Sequence, residues 1–190
     1  TPAWTYNGVV PAPLIKAKVG DRLIVDFTNN LPEPTTIHWH GLRVPNSQDG
    51  VPNVTQPPVL PGESFQYEFV FNDPGTFWYH PHINTASQVG RGMYGPIVVE
   101  DPEDPDFGPT RVIMLSDISI REDGQFIPLD SGGELGTLFG REGNMLLVNG
   151  KLNPTLNVQT SSRQRWRVIN AARSRYFELR FDGHDFHYIG

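Results

Sequence analysis

Four of the six histidines in this 190-residue chain fall into two pairs of identical spacing, His38-Trp39-His40 and His80-Pro81-His82. Residues two apart on a β-strand point to the same face, so each pair presents two imidazoles side by side. Cross-strand neighbours lie about 5 Å apart at Cβ, so two such strands lying together would bring four imidazoles within reach of one metal cluster. Unprotonated imidazole suits copper, zinc, iron and nickel, and cupric ion heads the affinity order. The second ring nitrogen of each histidine needs its own partner, which the backbone carbonyls of neighbouring strands can supply. A single His-x-His could be two histidines satisfied by backbone, but two copies flanked by Trp39, Trp78 and Tyr79 point to metal. A zinc-dependent hydrolase is one chemistry open to such a cluster. It would need an open zinc position and a nearby carboxylate base, a part for which Asp49 is available.

The elements that must hold these residues are short strands. Leu23–Phe27 and Phe65–Phe71 alternate apolar and polar residues, while Ile97–Val99 and Val112–Leu115 are continuous apolar runs. Asn29-Asn30, Pro61-Gly62, Asp73-Pro74-Gly75 and Asp123-Gly124 punctuate them. Strands at intervals of about ten residues with such turns predict an all-β sandwich or barrel. Composition agrees: 19 glycines and 18 prolines make a turn-rich chain. A net charge of −6 argues against a nucleic-acid or anionic-membrane binder. With no cysteine, disulfides, thiolate catalysis and a Cys-ligated blue-copper centre are all excluded within this chain. No apolar run is long enough to span a membrane as a helix.

The acidic, proline-rich stretch Asp101–Pro109 reads as a break between residues 1–104 and residues 105–190. Beyond it, strands are expected at Val112–Asp117, Met145–Val148, Leu156–Gln159, Arg165–Asn170, Phe177–Asp182 and His184–Ile189, with a glycine-rich loop over Ser131–Asn144. A second unit of about 80 residues is short for a sandwich of about 100. It is therefore expected to be truncated, and the chain to be a piece of a longer protein. Arg163, Arg165 and Arg167 alternate and are expected to form one solvated strand face. Met93 reads as packing, and His184 and His187, three apart, as structural.

His38-Trp-His-Gly41 and Trp78-Tyr-His-Pro-His82 resemble the first two copper motifs of multicopper oxidases, the laccase-like enzymes. The likeness extends to Trp4–Gly8 with Pro11-Ala-Pro13, where the usual glycine between the prolines is Ala12, and to Val19-Gly-Asp21 and Phe27–Leu31. It continues through Gly92–Glu100 and, in the second half, through Leu147–Gly150, Arg165–Asn170 and Asp182-Gly-His184, which are similar to the middle domain of three-domain members.

This resemblance implies an all-β fold: a cupredoxin-like Greek-key sandwich or barrel over 1–104, then the first part of a second cupredoxin-like domain over 105–190. It implies that His38 binds a type 2 copper, that His40 and His80 share one type 3 copper, and that His82 binds the other. Asp49 then matches an acid beside the type 2 site, delivering protons to bound oxygen and orienting a copper-bound water. The implied activity couples one-electron oxidation of phenols or metal ions to four-electron reduction of O2 to water. It implies a periplasmic or extracellular (secreted) setting. The family's two C-terminal motifs, one of them around the type 1 copper cysteine, are missing here. The chain is thus expected to supply half of the trinuclear ligands and to be inactive alone. The rest would come from the remainder of the polypeptide or a companion fragment. A non-catalytic cupredoxin-fold scaffold is the bland alternative, disfavoured because such proteins lose the copper histidines and all four are present here.

Overall fold

The computed structural model of the chain describes residues 3–128 and 133–189. Strands β1 (Ile15–Lys18), β2 (Arg22–Thr28), β3 (His38–His40), β4 (Ser64–Val70), β5 (Gly75–His80) and β6 (Gly95–Glu100) build the first half. β2 pairs antiparallel with β4, from Arg22 opposite Val70 to Thr28 opposite Ser64. Their outward residues pair across the strands: Arg22 with Glu68, Gln66 Nε2 donating to Asp26 at 2.7 Å, and Thr28 with Ser64 at 2.9 Å. Inward, Leu23, Val25, Phe27, Phe65, Tyr67 and Phe69 face the second layer. That layer is a four-stranded sheet in the order β1-β6-β5-β3, with β1 parallel to β6 and the other pairs antiparallel. Trp39, Tyr79, Ile97 and Val99 meet Tyr67, Phe69 and Phe71 between the layers, all nearly or fully buried. The period-two patterning thus does what it must in a sandwich, with one face of each strand in the core. Met93 is buried in this cluster, as packing requires.

A short helix, α1 (Thr85–Gly90), lies between β5 and β6, and the second half contains β7 (Thr110–Ile118), a short helix α2 (Gly133–Phe139), β8 (Met145–Val148) and β9 (Arg165–Asn170). β7 is central, antiparallel to β8 and parallel to β9. The all-β reading holds, and the strands of the first half fall where alternation and apolar runs put them.

Several details differ from expectation. Leu156–Gln159, Phe177–Asp182 and His184–Ile189 are not strands. A ladder must pair each backbone donor and acceptor, and among the described residues no strand pairs with these segments. Phe181 is held instead by ring contact with Trp166, at 4.9 Å between centroids. The expected glycine-rich loop holds helix α2, whose Leu135 and Leu138 fall at helical spacing (Ser131 and Gly132 lie outside the described residues). Nor do the alternating arginines form a solvated face. Arg163 is exposed, but Arg167 is only 7 % exposed, donating to Thr76 Oγ1 at 2.7 Å with its guanidinium 3.7 Å from Asp104, which also pairs with Arg165. That face of β9 turns toward β5 rather than to water. In the same seam, Val89 and Tyr94 pack with Met114, Ile169 and Ala171, and the Tyr94 hydroxyl donates to Ser116 Oγ at 2.7 Å. Among the described residues, no helix is long and apolar enough to cross a membrane.

Candidate metal centre

β3 is only three residues long, and its middle residue anchors it. Trp39 is 1 % exposed, with its indole against Tyr67, Phe69 and Tyr79 at centroid distances of 5.4, 5.1 and 6.0 Å. Because side chains alternate, a buried Trp39 sends His38 and His40 to the other face. The antiparallel register sets His38 opposite His80 and His40 opposite Trp78. β5 ends at His80, where Pro81 offers no N–H to continue the ladder. His82 therefore lies just past the strand, with its backbone N–H donating to Thr36 Oγ1 at 3.3 Å.

The four rings converge. The His38 centroid lies 5.7 Å from His40, 5.3 Å from His80 and 5.1 Å from His82. His80 and His82 are near-parallel at 6.3 Å. His38, His40 and His80 each offer a ring nitrogen such that all three lie within 4.8 Å of one another. The closest approach is His40 Nδ1 to His80 Nε2, 3.2 Å. Two nitrogens each about 2.0 Å from one ion readily have such a separation.

Two of the outer ring nitrogens are anchored. His38 Nδ1 lies 2.8 Å from the Asp49 carbonyl, and His80 Nδ1 lies 2.8 Å from the Pro81 carbonyl. With N–H placed on those atoms, Nε2 of each ring is a free lone pair aimed at the cluster, the outer-shell arrangement that fixes a ligand's tautomer and orientation. Burial pushes the His80 imidazole down to about 4, and the neighbouring His38, His40 and His82 add to the shift against the opposing effect of its bond to Pro81. His40 is also lowered, by burial first and then by His38 and His82. At neutral pH both rings are thus neutral donors, and no proton has to be displaced before a cation binds. This donor set, all imidazole and crowded, fits copper.

Trp78 walls the cluster on one side, its ring 4.2 Å from His80 and 5.1 Å from His40. Trp39 and Tyr79, equally aromatic in the sequence, do not line it. They point into the core, where the Tyr79 hydroxyl donates to the Pro13 carbonyl at 2.7 Å. The period-two rule applied to His-Trp-His already separates them.

Asp49 follows a single turn of 3-10 helix, Asn46–Gln48, tied to β4 by the Glu68 N–H donating to Gln48 Oε1 at 2.8 Å. Its peptide carbonyl is the nearer partner of His38, and its carboxylate Oδ1 lies 3.3 Å from the same Nδ1. Gly50 makes this approach possible. Its φ is +77°, and a Cβ there would sit 1.9 Å from the Ile37 carbonyl oxygen. Gly50→Ala is expected to cost at least about 1–2 kcal/mol from the left-handed backbone alone, and to move Asp49 off His38. Thermal melting together with the cupric electron paramagnetic spectrum of the complete protein checks this. An unchanged melting point would show that the loop absorbs the methyl group.

A two-layer β-sandwich with an imidazole cluster at the end of paired strands is the setting in which comparison with known proteins becomes informative. A multicopper oxidase family model matches residues 1–104, and another of the same description matches residues 110–190. The chain therefore belongs to the multicopper oxidase family, and its fold is cupredoxin-like. It is 32% identical over 208 residues to multicopper oxidase MmcO of Mycobacterium tuberculosis, covering 95% of this chain and 41% of that protein. With the laccase of Trametes maxima it shares 33% identity over 204 residues, covering 96% of this chain and 39% of the relative. Among solved structures, the multicopper oxidase of Pseudomonas thermotolerans superposes with a TM-score of 0.86 at 43% identity, over 92% of this chain and 42% of that one. The chain thus spans about two fifths of the length of these proteins.

Proposed function

We propose that this chain supplies one half of the trinuclear copper centre of a laccase-like oxidase, with His38, His40, His80 and His82 as its ligands. The observation that carries this is the convergence of the four rings from β3 and the end of β5, with the outer nitrogens of His38 and His80 held by backbone carbonyls. In this reading His38 holds the type 2 copper, His40 and His80 share a type 3 copper, and His82 holds its partner. The short separation between His40 Nδ1 and His80 Nε2 supports the shared assignment. Bound copper would supply the one-electron steps by which O2 is reduced to water at the expense of a phenol or a metal ion. The protein's part is to hold neutral donors in place, to keep Trp78 against them, and to bring the Asp49 carboxylate beside His38 as a proton donor.

No residue here can be the cysteine of a type 1 copper. Substrate oxidation and the other half of the ligands therefore belong, in this proposal, to the remainder of the polypeptide or a companion fragment. We read residues 1–104 as the first cupredoxin-like domain and 105–190 as the opening part of the second, and we place the protein in the periplasm or outside the cell. Family membership does not favour the scaffold or zinc-hydrolase alternatives.

Metal analysis of the complete protein, purified with copper and zinc both present, tests the reading. Copper with a near-ultraviolet oxo-bridge absorption band is expected. Zinc alone, or no metal, would overturn it. For Asp49→Asn, the backbone carbonyl that meets His38 is untouched and only the ionisable oxygen is lost. Copper content should be retained while oxygen reduction slows by about 100-fold, the lower range for loss of a positioned acid or base. Oxygen uptake measured across pH checks it, and a wild-type profile would remove the proton role.

A further inference from the structure

We infer that Gln88 is a positioning residue that sets the spacing between the two histidine pairs. The inference rests on the reading of these histidines as metal ligands. Gln88 is 0 % exposed and lies in the short helix α1 (Thr85–Gly90), which begins three residues after His82. Its side chain spends every bond it has on one segment, the chain leading into β3. Nε2 donates to Glu33 Oε1 at 2.7 Å and to the Pro34 carbonyl at 3.0 Å, while Oε1 accepts from the Thr35 hydroxyl at 2.7 Å.

The segment it grips sits directly before His38. Thr35 is locked by reciprocal backbone bonds with Val59, at 3.1 and 3.0 Å. Thr36 receives the His82 N–H, and the Ile37 N–H donates to the Tyr67 hydroxyl at 2.8 Å. On the other side, the Thr85 hydroxyl donates to the Pro81 carbonyl, which also anchors His80 Nδ1. The helix after one histidine pair and the strand entry before the other are therefore fastened through this amide, which adds three bonds to the direct one from the His82 N–H to Thr36. No ladder does this at His82, because β5 has already ended.

A buried amide with both N–H groups and its oxygen satisfied is costly to replace, since an apolar side chain leaves the buried Thr35 hydroxyl and Pro34 carbonyl without this partner. Such a group fixes geometry that hydrophobic packing alone leaves loose. Metal sites depend on that geometry, and loss of an outer support commonly weakens binding by about 10–100-fold.

The test uses the complete protein carrying Gln88→Leu, with Thr35→Val as a milder variant that deletes only one of the three bonds. Copper affinity is measured by chelator competition on the metal-free protein. The cupric electron paramagnetic spectrum is recorded on the loaded one, and metal-free melting temperature gives the structural baseline. Gln88→Leu should weaken copper binding about tenfold or more and change the hyperfine splitting of the type 2 signal, with Thr35→Val shifting both in the same direction by less. A fall in melting temperature with wild-type affinity and spectrum would overturn the inference, leaving Gln88 as core packing. If Gln88→Leu does not fold, Thr35→Val decides by the same readouts. His40→Ala measured alongside separates the two levels. Should it retain full copper, the ligand reading itself fails. Should it lose copper while both other variants match the parent, only the positioning role of Gln88 falls.

Discussion

In the complete protein, His40→Ala is expected to drop oxygen reduction below about one-hundredth of the parent rate, a loss larger than outer-shell changes usually cause. Copper of the type 3 pair should be depleted while the blue colour, which would arise at a site elsewhere, remains. The reason is local. His40 Nδ1 and His80 Nε2 face each other at 3.2 Å, and the ring on the far side of His40 is Trp78, which has no lone pair to offer. Alanine therefore leaves His80 without the imidazole nitrogen that faces it most closely. His184→Ala is the matched control. That histidine is exposed, its Nδ1 2.9 Å from the nearby Asp182 carbonyl, and its loss should leave copper content and turnover unchanged. Oxygen uptake and metal-to-protein ratio read both variants. Wild-type turnover in His40→Ala would end the ligand assignment.

Trp39→Ala should have the largest effect on stability, about 3–5 kcal/mol, the range for deleting a fully buried large aromatic. Trp39 is 1 % exposed and makes three aromatic contacts that join the β3 edge to β4 and β5. Its removal opens a cavity directly beneath the backbone from which His38 and His40 project. Copper binding should therefore weaken even in the molecules that stay folded. Trp39→Phe separates packing from the indole nitrogen. Among the described residues that nitrogen has no hydrogen-bond partner, so phenylalanine loses volume but no bond and should cost clearly less than alanine. The denaturant midpoint is the measurement, with an unchanged slope confirming that stability rather than compactness has moved. A loss below about 1 kcal/mol for alanine, typical of an ordinary substitution, would show that the core collapses around the gap.

What the chain shows along its sequence follows from which interactions are local. Alternation placed β2 and β4, and continuous apolar runs placed β6 and β7, because a strand's buried face is written at period two along the chain. The same reading overreached at Phe177–Asp182 and His184–Ile189, since a pattern fit for pairing does not supply the partner strand. It also misjudged Arg165 and Arg167, whose alternation is real but whose face meets Asp104 and Thr76 instead of solvent. At the candidate site, the two His-x-His spacings marked all four converging imidazoles. The roles of Gly50 as the point of close approach to Ile37, and of Gln88 as a fastening between distant segments, carried no comparable mark.

The sequence by itself determined the donor type, the two-residue spacing of the donors and the absence of a thiolate in this chain, because these depend on residue identity and position alone. Only the tertiary structure decided that His38 lies opposite His80 and that Asp49 reaches His38 first through its carbonyl. Those facts arise from strand register and from loops closing over 11 to 46 positions of chain. Such closures are set by packing of the whole sandwich, and no short stretch of residues encodes them.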